Sequence, residues 1–431
     1  MPKKTTRRDF LKKSTIAAAG FWLGSRFSLA PGRAPSEKLN IGCVGVANRA
    51  SANIEGVRSQ NIVALCDIDD GYLRAASQAF PQARTYNDFR KMMDQADVEA
   101  VVVSTPDHIH APASILAMKT GRHVYCEKPM AHSVYEARMM AQVAAREERA
   151  TQMGIQIHNT GRNYRNVVEL IQTGAIGAVT EAHCWVGKAW GGGERPAETK
   201  PVPPHIHFDL WLGPAPERPY YPDIYLPANW RRWWDFGSGT LGDMGCHYMD
   251  LPFWALSLRH PSAVEAEGPP VHPETAPEWM IARWTFPARA GMPPVRLTWY
   301  DGGKRPPHFA EGKLPEWADG VLFVGEKGML LAGYTQYRLL PEEKFRDFKP
   351  PAPYIPDSIG HHEEWIRACK TGEPTTCNFG YAGPLTETVL LGTVAYRAGR
   401  KLEWDPFTLE TPNYPEASRY IRREYRKGWT L

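Results

Sequence analysis

The 431-residue chain lacks the features that mark several protein classes. Its seven cysteines, at 43, 66, 126, 184, 246, 369 and 377, include no Cys-x-x-Cys pair. So sparse and odd a set excludes a disulfide scaffold and a zinc ribbon. Long apolar runs are missing, which excludes a polytopic membrane protein. An excess of one charge is missing as well, once the chain is divided. The first 30 residues carry seven basic side chains against Asp9; of 51 basic and 47 acidic residues in all, that leaves 44 and 46 for the rest. No basic surface for nucleic acid is predicted. What remains is an ordinary globular composition, 43% hydrophobic and 23% charged, long enough for two or three domains. The 15 tryptophans lie almost entirely beyond residue 180.

The basic residues near the start have a pattern. Arg7-Arg8-Asp9-Phe10-Leu11-Lys12 leads into a mild apolar stretch, Ser14 to Leu23, and small residues follow at Ser28-Leu29-Ala30. The apolar stretch is too short to span a membrane, and the whole reads as a secretory signal. The paired arginines resemble a twin-arginine export signal. Export of a folded protein into a bacterial periplasm is therefore expected, with residues 1–36 as signal and lead-in and no membrane span in the mature chain.

From Lys38 the pattern changes to short apolar runs alternating with helical stretches. The runs are Leu39 to Val46, Asn61 to Asp67, Val98 to Thr105 and His123 to Cys126, with a further strand ending at Gln156. Helices are predicted near Tyr72 to Phe80, from His110 to Thr120, and from the capping box Ser133-x-x-Glu136 to about Arg149. This alternation predicts a parallel, doubly wound Rossmann sheet. The first turn, Gly45-Val46-Ala47-Asn48-Arg49-Ala50, sits where a dinucleotide fingerprint belongs. Gly45 allows a tight turn, but the second fingerprint glycine is replaced by Ala47. Its methyl group intrudes where the pyrophosphate comes closest, so Asn48 and Arg49 are expected to supply side-chain donors to the phosphates. Asp67 ends the second strand, 22 residues after Gly45, where a carboxylate accepts hydrogen bonds from ribose hydroxyls. That carboxylate repels a 2′-phosphate and no arginine follows closely, which favours NAD over NADP.

Further along stand Ser104-Thr105-Pro106-Asp107-His108-Ile109-His110, Glu127-Lys128-Pro129, Gly154-Ile155-Gln156, Asp209-Leu210-Trp211-Leu212-Gly213-Pro214 and Gly242-Asp243-Met244-Gly245-Cys246-His247-Tyr248-Met249-Asp250. In this combination the chain resembles the Gfo/Idh/MocA family, named for glucose–fructose oxidoreductase, inositol dehydrogenase and a rhizopine-catabolism protein, over about residues 38 to 405. The stretch from Asn229 to Asp250 is similar to an exported subgroup. The resemblance implies a Rossmann domain (37–157), a second α/β domain with an open, mostly antiparallel sheet that often forms the oligomer contact (158–405), and a tail (406–431). A homodimer or homotetramer follows from it.

The resemblance also implies site residues. Lys128 stands beside the nicotinamide and the substrate hydroxyl, and Asp243 with His247 completes a catalytic triad. Thr105, Pro106, His110, Glu127 and Gln156 lie near the cofactor. On their own residues, Asp243, His247 and Asp250 fall on one face of a helix from Leu241 to Leu258. That suits either a structural Asp–His contact or acid–base work, for which His has the right ordinary pKa. No third ligand has matching spacing, so no metal is expected. His110 suits a helix start as well as a cofactor contact. Trp230, Tyr164 and their aromatic neighbours suit sugar platforms or plain core packing, and Arg162 or Arg231 is placed to read hydroxyls or a carboxylate. Gly191 to Pro204 reads as a flexible loop, a lid or an oligomer arm. Later strands are predicted near 282–286, 296–300, 321–325 and 329–332, and helices over 361–371 and 384–398.

The expectation is an exported oxidoreductase that moves a hydride between tightly held NAD and the carbinol carbon of a sugar or polyol. Two alternatives stand beside it: an NAD-dependent glycoside hydrolase or lyase working by transient oxidation, and a non-catalytic ligand-binding or scaffold protein, at which Ala47 hints.

Overall fold

The computed structural model describes residues 37–289 and 291–431. The twin-arginine segment and the expected cleavage point lie outside the described residues.

Six strands form the first sheet: β1 (Asn40–Val44), β2 (Asn61–Cys66), β3 (Arg84–Tyr86), β4 (Ala100–Val103), β5 (His123–Glu127) and β6 (Thr151–Gly154). All pair in parallel, in the order β3-β2-β1-β4-β5-β6. β1 and β4 are short apolar runs because both faces of the sheet are covered. Helices α1 (Arg49–Gly56), α2 (Asp70–Ala79), α3 (Asp107–Lys119) and α4 (Val134–Arg146) make the crossovers. The Ser133–Glu136 capping box is formed at the start of α4. The strand order reverses between β1 and β4, which opens a crevice at their carboxyl ends. Gly45 closes β1 there with φ 88°, and a Cβ on it would lie 2.6 Å from the Ser104 carbonyl oxygen, so only glycine fits.

The second sheet has eight strands: β7 (Val179–Trp185), β8 (Ala263–Glu267), β9 (Ile281–Phe286), β10 (Val295–Tyr300), β11 (Gly320–Gly325), β12 (Gly328–Ala332), β13 (Tyr337–Leu340) and β14 (Leu402–Glu403). Their order is β13-β12-β11-β7-β10-β9-β8-β14, antiparallel except for β7 against β10. One face of β7, β9 and β10 buries Ala182, Cys184, Trp284, Leu297 and Trp299 in the main core. The helices here are α5 (Asn163–Gln172), α6 (Gly239–Ala255), α7 (His361–Thr371) and α8 (Phe379–Ala398). α8 is buried along nearly its whole length, as a helix apolar on every side must be.

Three boundaries differ from expectation. α3 begins at Asp107, not His110, because Pro106 takes the cap position and Asp107 places a carboxylate in the first turn. α8 begins at Phe379, not Pro384, because the Asn378 side chain caps it by accepting from Gly380 and Tyr381. Gln156 opens a 3-10 turn instead of ending a strand, since β6 stops at Gly154. The two units also share a core: Trp365 and Ile366 of α7 pack with Leu39, Ile41, Leu65 and Tyr125 of the first sheet.

Residues 203–207 cross from the second unit to the first. Asp70 donates its amide to the His205 carbonyl at 3.0 Å, and His207 donates to Ile68 at 2.8 Å. Phe208, Trp211, Tyr225, Trp233 and Phe236 form an aromatic cluster behind this strap. No helix among the described residues is long and apolar enough to cross a membrane.

Candidate active site

The crevice at the β1–β4 switch is a cleft of about 420 Å³. Gly45, Ala47, Asn48, Arg49, Asp67, Thr105, Pro106, Trp230 and Arg231, all expected at a site, line it. Asp67 is mostly buried, and burial pushes its carboxyl above the usual range although backbone N–H groups at Val46 and Asp69 oppose this. Val46 donates to Asp67 at 2.9 Å, so the carboxylate braces the tight turn as well as facing the cleft. Asn48 holds a positive φ of 56° just before α1. The turn therefore takes a positive φ at a non-glycine residue, with ψ at −118°.

Behind this wall lies a polar network. Glu127, at the end of β5, accepts from Arg49 Nε at 2.9 Å, Asn53 at 2.9 Å and Gln156 at 3.0 Å. Burial alone would push the Glu127 carboxyl up. The Arg49 guanidinium, the Lys128 charge and these hydrogen bonds outweigh it and hold the carboxyl at about 2. Arg49 is thus engaged with Glu127 while still half-exposed to the cleft. His110 bolts two loops together: its ring nitrogens lie 2.7 Å from the Pro129 carbonyl and 2.8 Å from that of Thr105. Burial depresses its pKa, while the contacts with the two carbonyls pull the other way.

Lys128 follows Glu127 at the end of β5 and reaches the first turns of α6. Its Nζ lies 2.8 Å from both the carbonyl oxygen and Oδ1 of Asp243. Arg231 donates from Nε to the same Oδ1 at 3.0 Å. Its guanidinium is held over the Trp230 ring at 4.4 Å and the Trp190 ring at 5.5 Å. Burial would raise the Asp243 carboxyl, but Lys128 and Arg231 outweigh it and hold it well below the usual carboxylate range. His247 stands one turn further along α6. Burial and the Lys128 charge depress its pKa to about 3, against the opposing pull of Asp243. The side-chain hydrogen bonds of Asp243 thus go to Lys128 and Arg231 rather than to His247.

Two expected substrate contacts are placed otherwise. Arg162 pairs with Glu169 at 2.6 Å and Asp357 at 3.0 Å, away from the cleft. Tyr164 is buried and donates to the His247 carbonyl at 3.2 Å, so it supports α6 from behind. Asp250 shares the helical face of Asp243 but lies about 10 Å further along the axis. It is fully buried, accepts from Tyr381 at 2.7 Å and contacts His158 at 2.9 Å. Several residues at or beside the site went unread in the sequence, Asp107 and Lys188 among them. Asp107 is buried at the start of α3, where burial raises its carboxyl against the pull of Arg231 and Lys128. Lys188, just past β7, reaches the Met244 sulfur at 3.5 Å.

A family model described as "Oxidoreductase family, NAD-binding Rossmann fold" matches residues 39–155, and one described as "Oxidoreductase family, C-terminal alpha/beta domain" matches residues 162–291. A glycosyl hydrolase family 109 protein of Solibacter usitatus is 32% identical over 198 residues, covering 41% of this chain and 44% of that protein. An inositol 2-dehydrogenase of Salmonella typhimurium is 27% identical over 149 residues, covering 34% and 43%. The chain spans less than half the length of these curated relatives. The solved structure of the WlbA dehydrogenase from Chromobacterium violaceum, in complex with NADH and UDP-GlcNAcA, superposes with a TM-score of 0.62 at 19% identity. That alignment covers 88% of this chain and 99% of the other, and shows the shared fold.

Proposed function

The chain belongs to the Gfo/Idh/MocA oxidoreductase family, and on that premise we propose that it moves a hydride between NAD and a carbinol carbon of a sugar or polyol. The observation that carries this reading is the Lys128–Asp243 pair, 2.8 Å apart, with His247 one turn along the same helix. Arg231 joins the pair to the cleft by touching both.

The cleft fits a dinucleotide on its own geometry. Gly45 makes the tight turn against the Ser104 carbonyl that only glycine allows, and Asp67 lines the cavity. Gly45, Ala47, Asn48 and Arg49 would hold the pyrophosphate and Asp67 the adenosine ribose. Bound NAD would accept or return the hydride at its nicotinamide ring. Asp67 favours NAD over the 2′-phosphorylated form by charge repulsion.

The chain's own residues handle the proton. An ammonium has three N–H donors, and Lys128 spends two on Asp243. The third is left for the substrate oxygen, where it stabilises developing negative charge. His247, neutral with a pKa near 3 before substrate binds, takes the hydroxyl proton at a ring nitrogen. Asp243 fixes Lys128, and Arg231 fixes Asp243. Trp230 and Trp190 border this arrangement and hold the Arg231 guanidinium over their rings.

A second reading is favoured by the likeness to the family 109 glycosyl hydrolases. The same residues would then serve a redox-neutral cleavage: oxidation at one carbon would acidify the neighbouring C–H, the aglycone would leave by elimination, water would add across the resulting double bond, and the hydride would return. Export through the twin-arginine route and a homo-oligomer formed on the open sheet complete the proposal. Purified protein supplied with NAD and a panel of free sugars, polyols and aryl glycosides distinguishes the readings. Growth of reduced-nicotinamide absorbance with a free sugar supports the first. Release of the aryl group that requires NAD, without net reduction, supports the second. Neither signal with any substrate class contradicts both.

A further inference from the structure

Residues 423–431 run back across the first unit, and Trp429 near their end touches the cleft. Tyr425 donates its hydroxyl to Glu136 of α4 at 2.5 Å, and Lys119 of α3 donates to the Leu431 carbonyl at 3.0 Å. Between these anchors Arg426 grips the strap region of the second unit. Its backbone amide donates to the Pro214 carbonyl at 3.0 Å, its Nε to the Gly213 carbonyl at 3.1 Å and its Nη2 to the Asp209 carbonyl at 2.9 Å. Its Nη1 also pairs with the Asp209 carboxylate. The turn so held sits directly on α3: a Cβ on Gly213 would lie 2.3 Å from the Ile109 side chain, itself part of the cleft wall.

Trp429 completes the arrangement. Its ring lies 5.9 Å from that of Phe89, and the Arg90 guanidinium covers it at 4.5 Å. Trp429 also lines the cleft, with Asp67, Tyr72, Asn87 and Phe89. These are the residues around the ends of β2 and β3, the side on which the ribose-binding carboxylate stands. The matched family regions end at residue 291, well before this segment.

We infer that the 423–431 segment is a latch on the nucleotide cleft, with Trp429 forming wall at its adenosine end and Arg426 tying that wall to the strap. The inference rests on the reading of this cleft as the dinucleotide site. Physically, Arg426 joins the latch to residues 209–214, which continue directly from the strap, so one cannot lift from the cleft without straining charge-assisted bonds to the other. A bound adenosine would be enclosed by two segments that are remote in sequence. The consequence is kinetic: the latch slows nucleotide release far more than it changes entry or hydride transfer.

The test follows release of NADH fluorescence in a stopped-flow mixer as excess NAD displaces it. The parent protein is compared with Trp429→Ala, Trp429→Phe and Arg426→Ala, with urea midpoints checking the fold. Loss of the aromatic wall is expected to speed release about tenfold or more. Arg426→Ala is expected to do the same, association to stay near parent, and Trp429→Phe to recover most of the slow release. Parent-like release from a folded Trp429→Ala protein would overturn the latch, even if Arg426→Ala fails to fold. A parent protein that takes up no NADH would overturn the dinucleotide reading and the latch with it.

Discussion

Asp243 holds Lys128 at two atoms, with the lysine Nζ 2.8 Å from both its carbonyl oxygen and its Oδ1. A side chain from the end of a Rossmann strand is thereby fixed against a helix of the other unit. This cross-unit clasp joins two motifs that lie 115 residues apart and leaves one ammonium proton for the role proposed above.

Removing either end of the clasp should stop chemistry while sparing nucleotide binding. Lys128→Ala and Asp243→Asn are expected to lose roughly 10²–10⁴-fold in single-turnover hydride transfer. Calorimetric affinity for NAD should stay near the parent value in both. Near-parent transfer rates in a folded Lys128→Ala protein would place the reacting centre elsewhere.

The pH profile should lack the limb expected of an ordinary histidine. His247 is depressed to about 3 and Asp243 lies well below the usual range, so both keep the protonation state needed for oxidation throughout the neutral region. The sign is that activity requires neutral His247 and falls only as pH drops toward its lowered pKa. kcat/KM for oxidation is therefore expected to be flat from about pH 5 to about pH 8. An acid limb centred near 6.5 that vanishes in His247→Gln would show that the imidazole titrates normally.

On the proposed reading Arg231 is a positioning residue that acts through Asp243, with which it pairs at 3.0 Å. Arg231→Met removes one of the two cations on Oδ1, which raises the Asp243 carboxyl and loosens Lys128. We expect a fall in kcat of about tenfold or more, with a new acid limb moving up from low pH; Arg231→Lys should restore part of each. A change confined to KM would instead make Arg231 a substrate contact.

Arg49 should matter for stability as well as for nucleotide. Its partner Glu127 is buried, with a pKa lowered from 4.5 to about 2. A depressed carboxylate contributes stability that is fully present above about 4.5 and is lost as pH falls toward 2. Arg49→Ala is expected to lower stability by ~1–2 kcal/mol at pH 7, discounted because Arg49 is half-exposed, with the gap closing toward pH 3. Urea titrations at the two pH values check this. Nucleotide affinity should fall in Arg49→Ala and hold or rise in Ala47→Gly.

Most of the Rossmann sheet was legible because β1, β2, β4 and β5 are largely apolar runs punctuated by Gly45 and Asp67, whereas β3, a short polar strand at the sheet edge, was missed. Much of the second sheet was not. β7 reads Val179-Thr180-Glu181-Ala182-His183-Cys184-Trp185 because only one face lies under helices, and its polar half hides the strand. Lys128 and Asp243 were legible through their motifs, but the Arg231 contact was not, since nothing in a Trp-Arg-Arg-Trp run says which arginine turns inward. The strap and the latch were invisible for a related reason. Their contacts join residues 69 to 206 and 209 to 426, and no local periodicity encodes such pairs.

The most direct test of the account is a calorimetric titration of nucleotide-stripped protein with NAD and, separately, with NADP. Saturable binding of NAD is expected, with binding of NADP at least about tenfold weaker, because the Asp67 carboxylate meets the added phosphate. Binding of neither nucleotide, or tighter binding of NADP, would contradict it.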